Sequence, residues 1–598
     1  MTRTRRNRAI GFVASLLCVA TFLVAAPARA DNPIVQHIYT ADPAPMVHDG
    51  RVYLYTSHDE DGSTYFTMND WHLFSSADMV NWTHHGSPLS LTTFSWASAD
   101  AWAGHVIERN GKFYWYVPVK ATATNSMAIG VAVADSPTGP FRDALGHPLV
   151  ANGEIDPHAF IDDDGQAYLY WGNPNLWYIR LNPDMVSYSG SPTRIPLTTA
   201  GFGTRTGDPD RPTLYEEGPW VYQRNGIYYN VFAAECCSEF IGYSTAPGPT
   251  GPWTYRGTVM PRQGGSFTNH PGVIDFAGGS YFFYHNGALP DGGGFTRSVA
   301  VEKFSYRADG TIPTMNMTTA GAPQIGTLNP YVRQEAETVA WSVGIETEPS
   351  SEGTMNVGWI ENGDYIKVKG VAFGAGAASF TARVAADSSG GNIELRLGGP
   401  TGTRVGTCAV PGTGGWQSWT GVSCPVTGAS GTHDLYLVFT GGSGYLLNVD
   451  WWQFSTGTTP PPTSPPPTTP PPTTAPPTTA PPTTAPPTTT PPPTTPGSSC
   501  TATVSAPASW PGGYEGRLTV TNSTSTAIDG WRVTFTLPAG QTVAQGWSGT
   551  FSQQGSQVTV TNASYNGRLS AGSSTTAGFI ASTSGSSQPP GSITCTAS

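Results

Sequence analysis

Five segments between residues 42 and 284 repeat one pattern: a turn pair, an apolar run, a Gly turn and an aromatic-rich strand. The first reads Asp42-Pro-Ala-Pro-Met-Val-His-Asp-Gly-Arg-Val-Tyr-Leu-Tyr. The third reads Asp156-Pro-His-Ala-Phe-Ile-Asp-Asp-Asp-Gly-Gln-Ala-Tyr-Leu-Tyr, and the others open at Gly104, Gly218 and His270. Their turn glycines, Gly50, Gly111, Gly165, Gly226 and Gly279, recur at a near-constant spacing. Each unit reads as a β-hairpin, and each is followed by a second strand pair, as at residues 71–79 and 129–136. Four-stranded units repeated radially make a propeller, so five repeats predict five blades.

The rest of the chain divides by composition. Residues 329–456 lack the repeat, alternate in stretches such as Tyr365-Ile-Lys-Val-Lys-Gly-Val, and read as a β-sandwich. Residues 457–499 are built of Pro-Pro-Thr-Thr, which adopts extended polyproline II and packs no core. Residues 500–598 alternate again and read as a second sandwich. The expected fold class is all-β: a five-bladed β-propeller over residues 31–328, followed by two β-sandwich modules. Residues 1–30 carry Arg3, Arg5, Arg6 and Arg8, an apolar stretch and Ala28-Arg29-Ala30. That is the layout of a secretory signal peptide, so a secreted, extracellular protein is expected. Beyond it six Cys remain, an even number that points to disulfides in an oxidising compartment. Cys500 is paired with Cys595 and Cys408 with Cys424; the neighbours Cys236 and Cys237 are left open. A formal net charge of -12 argues against nucleic acid or anionic lipid as partner. No later segment has the apolar length to cross a membrane.

In a propeller the first strand of each blade lines the central channel, so the repeat openers converge on one axis. Here they include Asp42, Asp156, Glu217 and His270. Carboxyls crowded at one mouth raise at least one pKa. Glycoside hydrolysis needs that division of labour: one carboxyl protonates the leaving oxygen, another activates water or attacks carbon. A single Asp-Pro is often only a turn, but Asp42 and Asp156 hold the same place in two repeats, and Glu217 holds it in a third. Asp162, Asp163 and Asp164 read as solvated turn acids. Glu216 competes with Glu217, yet side chains alternate across a strand and only one of the two faces the channel. Glu217, directly before Gly218-Pro219, is preferred. His270 is a channel residue or a satisfied structural histidine. Arg297 pairs an acid, bonds sugar hydroxyls or forms a surface salt bridge.

On these residues the segment 42–311 resembles glycoside hydrolase family 43, a five-bladed family of inverting enzymes. Asp42-Pro, Ile155-Asp156-Pro, Glu217-Gly-Pro-Trp, Asn269-His270-Pro-Gly and Thr296-Arg297-Ser match in order. The resemblance implies Asp42 as general base, Glu217 as general acid and Asp156 as the carboxylate that tunes and orients Glu217. It implies substrate contacts from Trp102, His270 and Arg297, with the histidine at the channel centre, often beside a calcium ion. One departure is Trp102-Ala-Gly, where many members have Trp-Ala-Pro. Asp59-Glu60-Asp61 and the tracts at 67–71 and 280–290 look most like members acting on arabinoxylan. Removal of α-L-arabinofuranosyl side chains is therefore expected. β-1,4-Xylosidase, arabinanase or exo-galactanase activity are the alternatives, and a glycan-binding propeller is the non-enzymatic one. Inversion implies acid and base carboxyls roughly 6.5–9.5 Å apart.

Residues 329–456 resemble carbohydrate-binding module family 6 through Glu335-Ala-Glu337, the tract 358–365 and Asn448-Val-Asp-Trp-Trp. That implies Trp359 and Trp416 sandwiching a sugar, Asn448 hydrogen-bonding it, and a structural calcium on Glu335, Glu337 and Asp450. Residues 500–598 resemble carbohydrate-binding module family 2. A flat face of Trp510, Trp547 and Tyr565 is implied, with Trp531 in the core and Tyr565 where many cellulose binders have Trp. Arabinoxylan, xylan and cellulose are the expected partners, met by a monomer.

Overall fold

The computed structural model describes residues 30–353, 355–457, 500–510, 513–547, 549–563, 566–583, 590 and 593–597. Nearly all of its regular structure is strand, and the helical segments among the described residues are the 3-10 turn Leu91–Thr93 and the short α-helix Thr199–Phe202. None is long and apolar enough to cross a membrane.

Five antiparallel sheets follow one another along the first 304 residues. Their innermost strands are Thr40–His48, His105–Arg109, His158–Ile161, Tyr215–Arg224 and Gly272–Phe276, and neighbouring sheets meet through them. Each pairs with the following strand through a hairpin. The turns explain the repeated glycines. Asp49-Gly50, Asn110-Gly111 and Asn225-Gly226 all have positive φ at both positions, the turn geometry whose twist matches a hairpin. In the fifth blade that pair is Ala277-Gly278, while Gly279 already begins the return strand, so the turn sits one residue earlier than the repeat alone placed it. The aromatic-rich strands fill the wedges between sheets: Trp71, Trp115, Tyr116 and Trp171 are fully buried.

The fifth blade has three strands, and the chain's beginning seals it. Ile34 N donates to Val299 O (3.0 Å) and Val301 N to Asn32 Oδ1 (3.1 Å). Between first and fifth blades the approach is so close that a Cβ on Gly272 would lie 2.5 Å from Pro45 Cδ.

Two further sheets form the second module. One contains Met355–Gly358, Ser379–Ala386, Gly415–Pro425 and Asn448–Ser455, and the other Tyr365–Gly374, Gly390–Leu397, Thr403–Pro411 and Gly431–Gly441. They enclose Phe380, Phe439 and Trp452, and Cys408 is bonded to Cys424. This module is stitched to the propeller. Thr338–Val339 pairs with Trp82–His84 and so covers the outer edge of the first blade. Asn81 Oδ1 accepts from Lys369 N (2.8 Å), and Asp31 accepts from Lys367 Nζ and Lys369 Nζ at 2.7 Å each.

The C-terminal module is a pair of four-stranded sheets with Cys500 bonded to Cys595. Trp531 lies in its core, donating to Asn566 O (2.8 Å). Residues 1–29 and 458–499, which carry the expected signal and linker segments, the side chains of Trp510 and Trp547, and Tyr565 lie outside the described residues.

Candidate active site

Proline breaks the innermost strands where they reach the channel. Asp42-Pro43, Asp156-Pro157 and Gly218-Pro219 each lose an N–H that the ladder would need. The chain responds locally: Asp42 takes φ 52°, Asp156 φ 60° and Gly218 φ 59°. The register slips between Ala41 and Ala44, and on both sides of Glu217. Such bulges re-aim side chains out of strict alternation. The result is one cavity of about 260 Å³ whose wall includes Asp42, Asp156, Glu217, Trp102, His270 and Arg297. All six channel residues singled out in the sequence meet there. Tyr65, Phe66, Phe267, Asn173 and the bonded pair Cys236–Cys237 complete it.

Asp42 and Asp156 are buried and Glu217 is half-buried, and the three differ in partners. Asp42 Oδ1 accepts from Arg297 Nη1 (3.1 Å), and Asp42 N donates to His285 Nδ1 (3.1 Å). Burial pushes the Asp42 carboxyl up, but Arg297, His270 and His285 outweigh it and hold it below the usual carboxylate range. Among the described residues, the Glu217 carboxylate accepts a hydrogen bond from Asn173 Nδ2 alone. Burial, with the charges of Asp42 and Glu216, pushes it up to about 7. Asp156 Oδ2 accepts from Gly218 N (3.1 Å), so it grips the backbone next to Glu217. Burial, Glu217 and Asp42 raise Asp156 well above the ordinary carboxyl value. Glu216 points elsewhere, into an ion pair with Arg205 (2.5 Å) and Arg211 (2.8 Å).

Arg297 is 3% exposed, which removes the surface salt-bridge reading. Its main partner is Asp59, and its guanidinium lies 5.2 Å from the Phe66 ring centre. Trp102 is fixed by its Nε1, which donates to Phe66 O (2.9 Å). His270 stacks close over Gly218, where a Cβ would come within 2.9 Å of the ring. Below it His105 and His158 sit with ring centres 4.1 Å apart.

Four polar residues of the site were not among those singled out: Asp59, Asn173, Glu239 and His285. Asp59 belongs to the Asp59-Glu60-Asp61 tract, where nothing in the sequence separates a buried acid from solvated ones. Glu239 is 3% exposed, and its Oε2 accepts from Asn269 N (2.8 Å), the residue before His270.

In the second module Trp359 is 41% exposed, and Trp416 lies edge-on to the exposed Tyr445. Asn448 is buried and its Nδ2 already donates to Glu348 Oε1 and Trp416 O, both 2.9 Å. Its amide nitrogen therefore ties the cleft wall together. The charges of Glu335 and Asp450 both act on Glu337. Glu337 Oε2 is buried without a hydrogen-bond partner, and burial with the charges of Glu335 and Asp450 raises its carboxyl well above normal. Arg333 offsets part of that charge from 2.8 Å (Glu335) and 3.6 Å (Asp450). Crowded carboxylate oxygens with an orphaned buried atom fit a hard cation such as calcium.

Comparison with known proteins agrees with this geometry. Residues 30–312 match the model for glycosyl hydrolases family 43, residues 335–456 that for carbohydrate binding module family 6, and residues 500–598 that for a cellulose binding domain. An arabinoxylan arabinofuranohydrolase of Bacillus subtilis is 37% identical over 498 residues, 71% of this chain and 92% of that protein. One from Paenibacillus polymyxa is 36% identical over 496 residues, 71% of this chain and 74% of that protein. The crystal structure of a family 43 arabinoxylan arabinofuranohydrolase from B. subtilis, in complex with cellotetraose, superposes with TM-score 0.62 at 35% identity. That match covers 72% of this chain and 99% of the other.

Proposed function

The chain belongs to glycosyl hydrolase family 43, and from that premise we propose that it removes α-L-arabinofuranosyl side chains from arabinoxylan by single-step inversion. The observation that carries this reading is the opposite displacement of two carboxyls on one cavity wall: Asp42 low, Glu217 near 7. At mildly acidic pH the first is a carboxylate and the second an acid. Asp42 takes a proton from water as the water oxygen bonds the anomeric carbon. Glu217 gives its proton to the departing glycosidic oxygen, so the sugar leaves with inverted configuration and the carboxyl roles are reset by solvent. Asp156 acts by holding Gly218 N, which fixes the strand bend that aims Glu217. Trp102, His270 and Arg297 line the same wall and are assigned to the arabinosyl ring.

The other modules hold the enzyme on polymer. Trp359 and Trp416 are assigned to a xylan chain, and Trp510, Trp547 and Tyr565 to cellulose. Glu335, Glu337 and Asp450 would hold a structural calcium, whose charge would relieve their crowding; no catalytic step uses it. Residues 1–30 would direct secretion and be removed. Incubation with arabinoxylan and with linear xylo-oligosaccharides tests the whole reading. Arabinose as the product, appearing as the β-anomer by proton NMR before mutarotation, supports it. Xylose released only from the linear oligomers overturns the substrate, and an α-anomer overturns the mechanism.

A further inference from the structure

A line of histidines that the reaction does not use runs from the first blade to the second module. His58 ends the strand Arg51–His58, while Asp70 and His72 open the strand Asp70–Ser76 beside it. Asp70 Oδ1 lies 2.9 Å from His58 Nδ1, and Asp70 Oδ2 lies 3.3 Å from His72 Nε2. One donor atom from each of the three falls within 4.8 Å of the other two. Tetrahedral zinc, with bonds of about 2.0–2.2 Å, keeps its ligand atoms roughly 3.3–3.6 Å apart. Small side-chain rotations suffice to seat an ion among them.

We propose that His58 Nδ1, the Asp70 carboxylate and His72 Nε2 bind a divalent transition metal of the zinc class. Two imidazoles and one carboxylate suit a borderline ion, in contrast to the all-carboxylate cluster of Glu335, Glu337 and Asp450. The three side chains are 19%, 24% and 12% exposed, so the fourth position opens to water. A second layer stands behind the ligands. His72 Nδ1 is 2.8 Å from His84 Nε2, and His84 Nδ1 is 2.7 Å from Thr347 Oγ1. With Nε2 on the ion, His72 donates Nδ1–H to His84, which donates Nδ1–H to Thr347. A metal-bound histidine needs such a partner to fix its tautomer and direction.

Position gives the site its consequence. Thr347 belongs to the second module, so the chain of rings crosses the seam between it and the propeller. His58 directly precedes Asp59, the partner of Arg297. A bound ion would fasten both the seam and the turn that carries Asp59. Without an ion the same atoms form a plain hydrogen-bonded trio, with Asp70 accepting from two imidazole N–H groups. The two states predict different metal contents.

The test uses tag-free, full-length protein stripped by chelator and then dialysed against Zn²⁺ with excess Ca²⁺, which occupies oxygen-only sites. One equivalent of retained zinc by atomic emission, with visible absorption bands of tetrahedral type when Co²⁺ replaces Zn²⁺, is expected for wild type. His58→Ala and Asp70→Asn should each weaken binding at least tenfold, while circular dichroism reports an unchanged fold. His84→Gln, which leaves all three ligands, should weaken it less. No retained zinc in wild type, or equal retention in the folded His58→Ala and Asp70→Asn proteins, overturns the site. Neither result bears on arabinose release.

Discussion

Asp59 grips Arg297 through three hydrogen bonds: from the arginine backbone N (2.8 Å), from Nε (2.9 Å) and from Nη2 (2.9 Å). The remaining guanidinium nitrogen, Nη1, donates to Asp42 Oδ1 at 3.1 Å. Asp59 thus decides where positive charge stands relative to the carboxylate assigned as base, although the two partners are 238 residues apart in sequence.

Replacing Asp59 by Asn keeps acceptor capacity on one atom but removes the charge. Breaking a buried pair by neutralising one partner costs about 3–5 kcal/mol. Because Arg297 would then direct its charge more fully onto Asp42, the base should become weaker as well. A Tm lower by several degrees is expected, together with a kcat reduced about tenfold or more. Calorimetry and initial rates on an aryl arabinofuranoside check both, and an unchanged kcat would place the orienting role elsewhere.

The two displaced carboxyls predict a bell-shaped rate profile. Activity rises with pH as Asp42 ionises, below the ordinary carboxylate range, and falls as Glu217 loses its proton at about 7. In Glu217→Gln the leaving group is unassisted, so kcat should fall about 10²–10⁴-fold. A substrate with a good leaving group, such as 2,4-dinitrophenyl arabinofuranoside, should recover most of that loss. Failure of such a substrate to do so would show that Glu217 is not the acid.

Glu217 should also burden the fold in a pH-dependent way. Its folded value is raised to about 7 from the ordinary glutamate value of 4.5, so between those limits the folded state holds a proton that the unfolded chain has released. Stability contributed by that proton is full below the lower limit and lost as pH rises toward the upper one. Glu217→Gln removes the dependence. The Tm of the variant should therefore exceed wild type by an amount that grows from pH 5 to pH 7.5, corresponding to on the order of a few kcal/mol. Parallel melting curves across that range would sink the assignment.

Much of this arrangement was legible beforehand because it rests on repetition. Asp42, Asp156 and Glu217 open three hairpins at equivalent places, and a Pro follows each bend, so a ring of blades had to bring them to one mouth. Arg297 was readable as a residue but not as a buried one, since its burial depends on Asp59, whose tract looks solvated in sequence. Asn173 and Glu239 lie on the loops that join the second and third strands of the third and fourth blades, where no periodicity marks them. Asn448 shows the opposite limit: a motif indicated a sugar contact, while packing turned its amide nitrogen toward Glu348. The fusion of propeller and second module was invisible because Thr338–Val339 is too short to signal a strand, and its partner Trp82–His84 is only one residue longer.

Asp156 offers a sharper distinction between holding and tuning. Its Oδ2 accepts from Gly218 N at 3.1 Å, a contact an amide oxygen can reproduce and a methyl group cannot. Asp156→Asn should keep the bend that aims Glu217 and retain most of kcat if Asp156 works by position. Asp156→Ala leaves a buried N–H unpaired, costing about 1–3 kcal/mol, and should reduce kcat by 10-fold or more (about 1.4 kcal/mol per tenfold) with little change in KM. If Asn instead falls as far as Ala, the exchangeable proton of Asp156 matters, and the alkaline limb of the rate profile should move with it.

The seam between the first two modules supports a last expectation. Trp82–His84 would be a bare sheet edge without Thr338–Val339, and unpaired edges invite aggregation. Asn81, Thr83 and His84 each bond a residue of the second module: Lys369, Thr338 and Thr347. Ending the chain at residue 328 removes all of these partners at once, and leaves Asp31 without Lys367 and Lys369. Asp42 lies on the innermost strand of that sheet, at the opposite edge from Trp82–His84, and Asp156 and Glu217 belong to other blades, so cleavage of a small aryl arabinofuranoside should survive in freshly purified material. The truncated protein should nevertheless melt several degrees lower, exchange the amide hydrogens of residues 82–84 much faster than the full chain, and self-associate on standing. A truncated propeller with unchanged Tm and protected amides at 82–84 would mean that the first blade is complete without its neighbour.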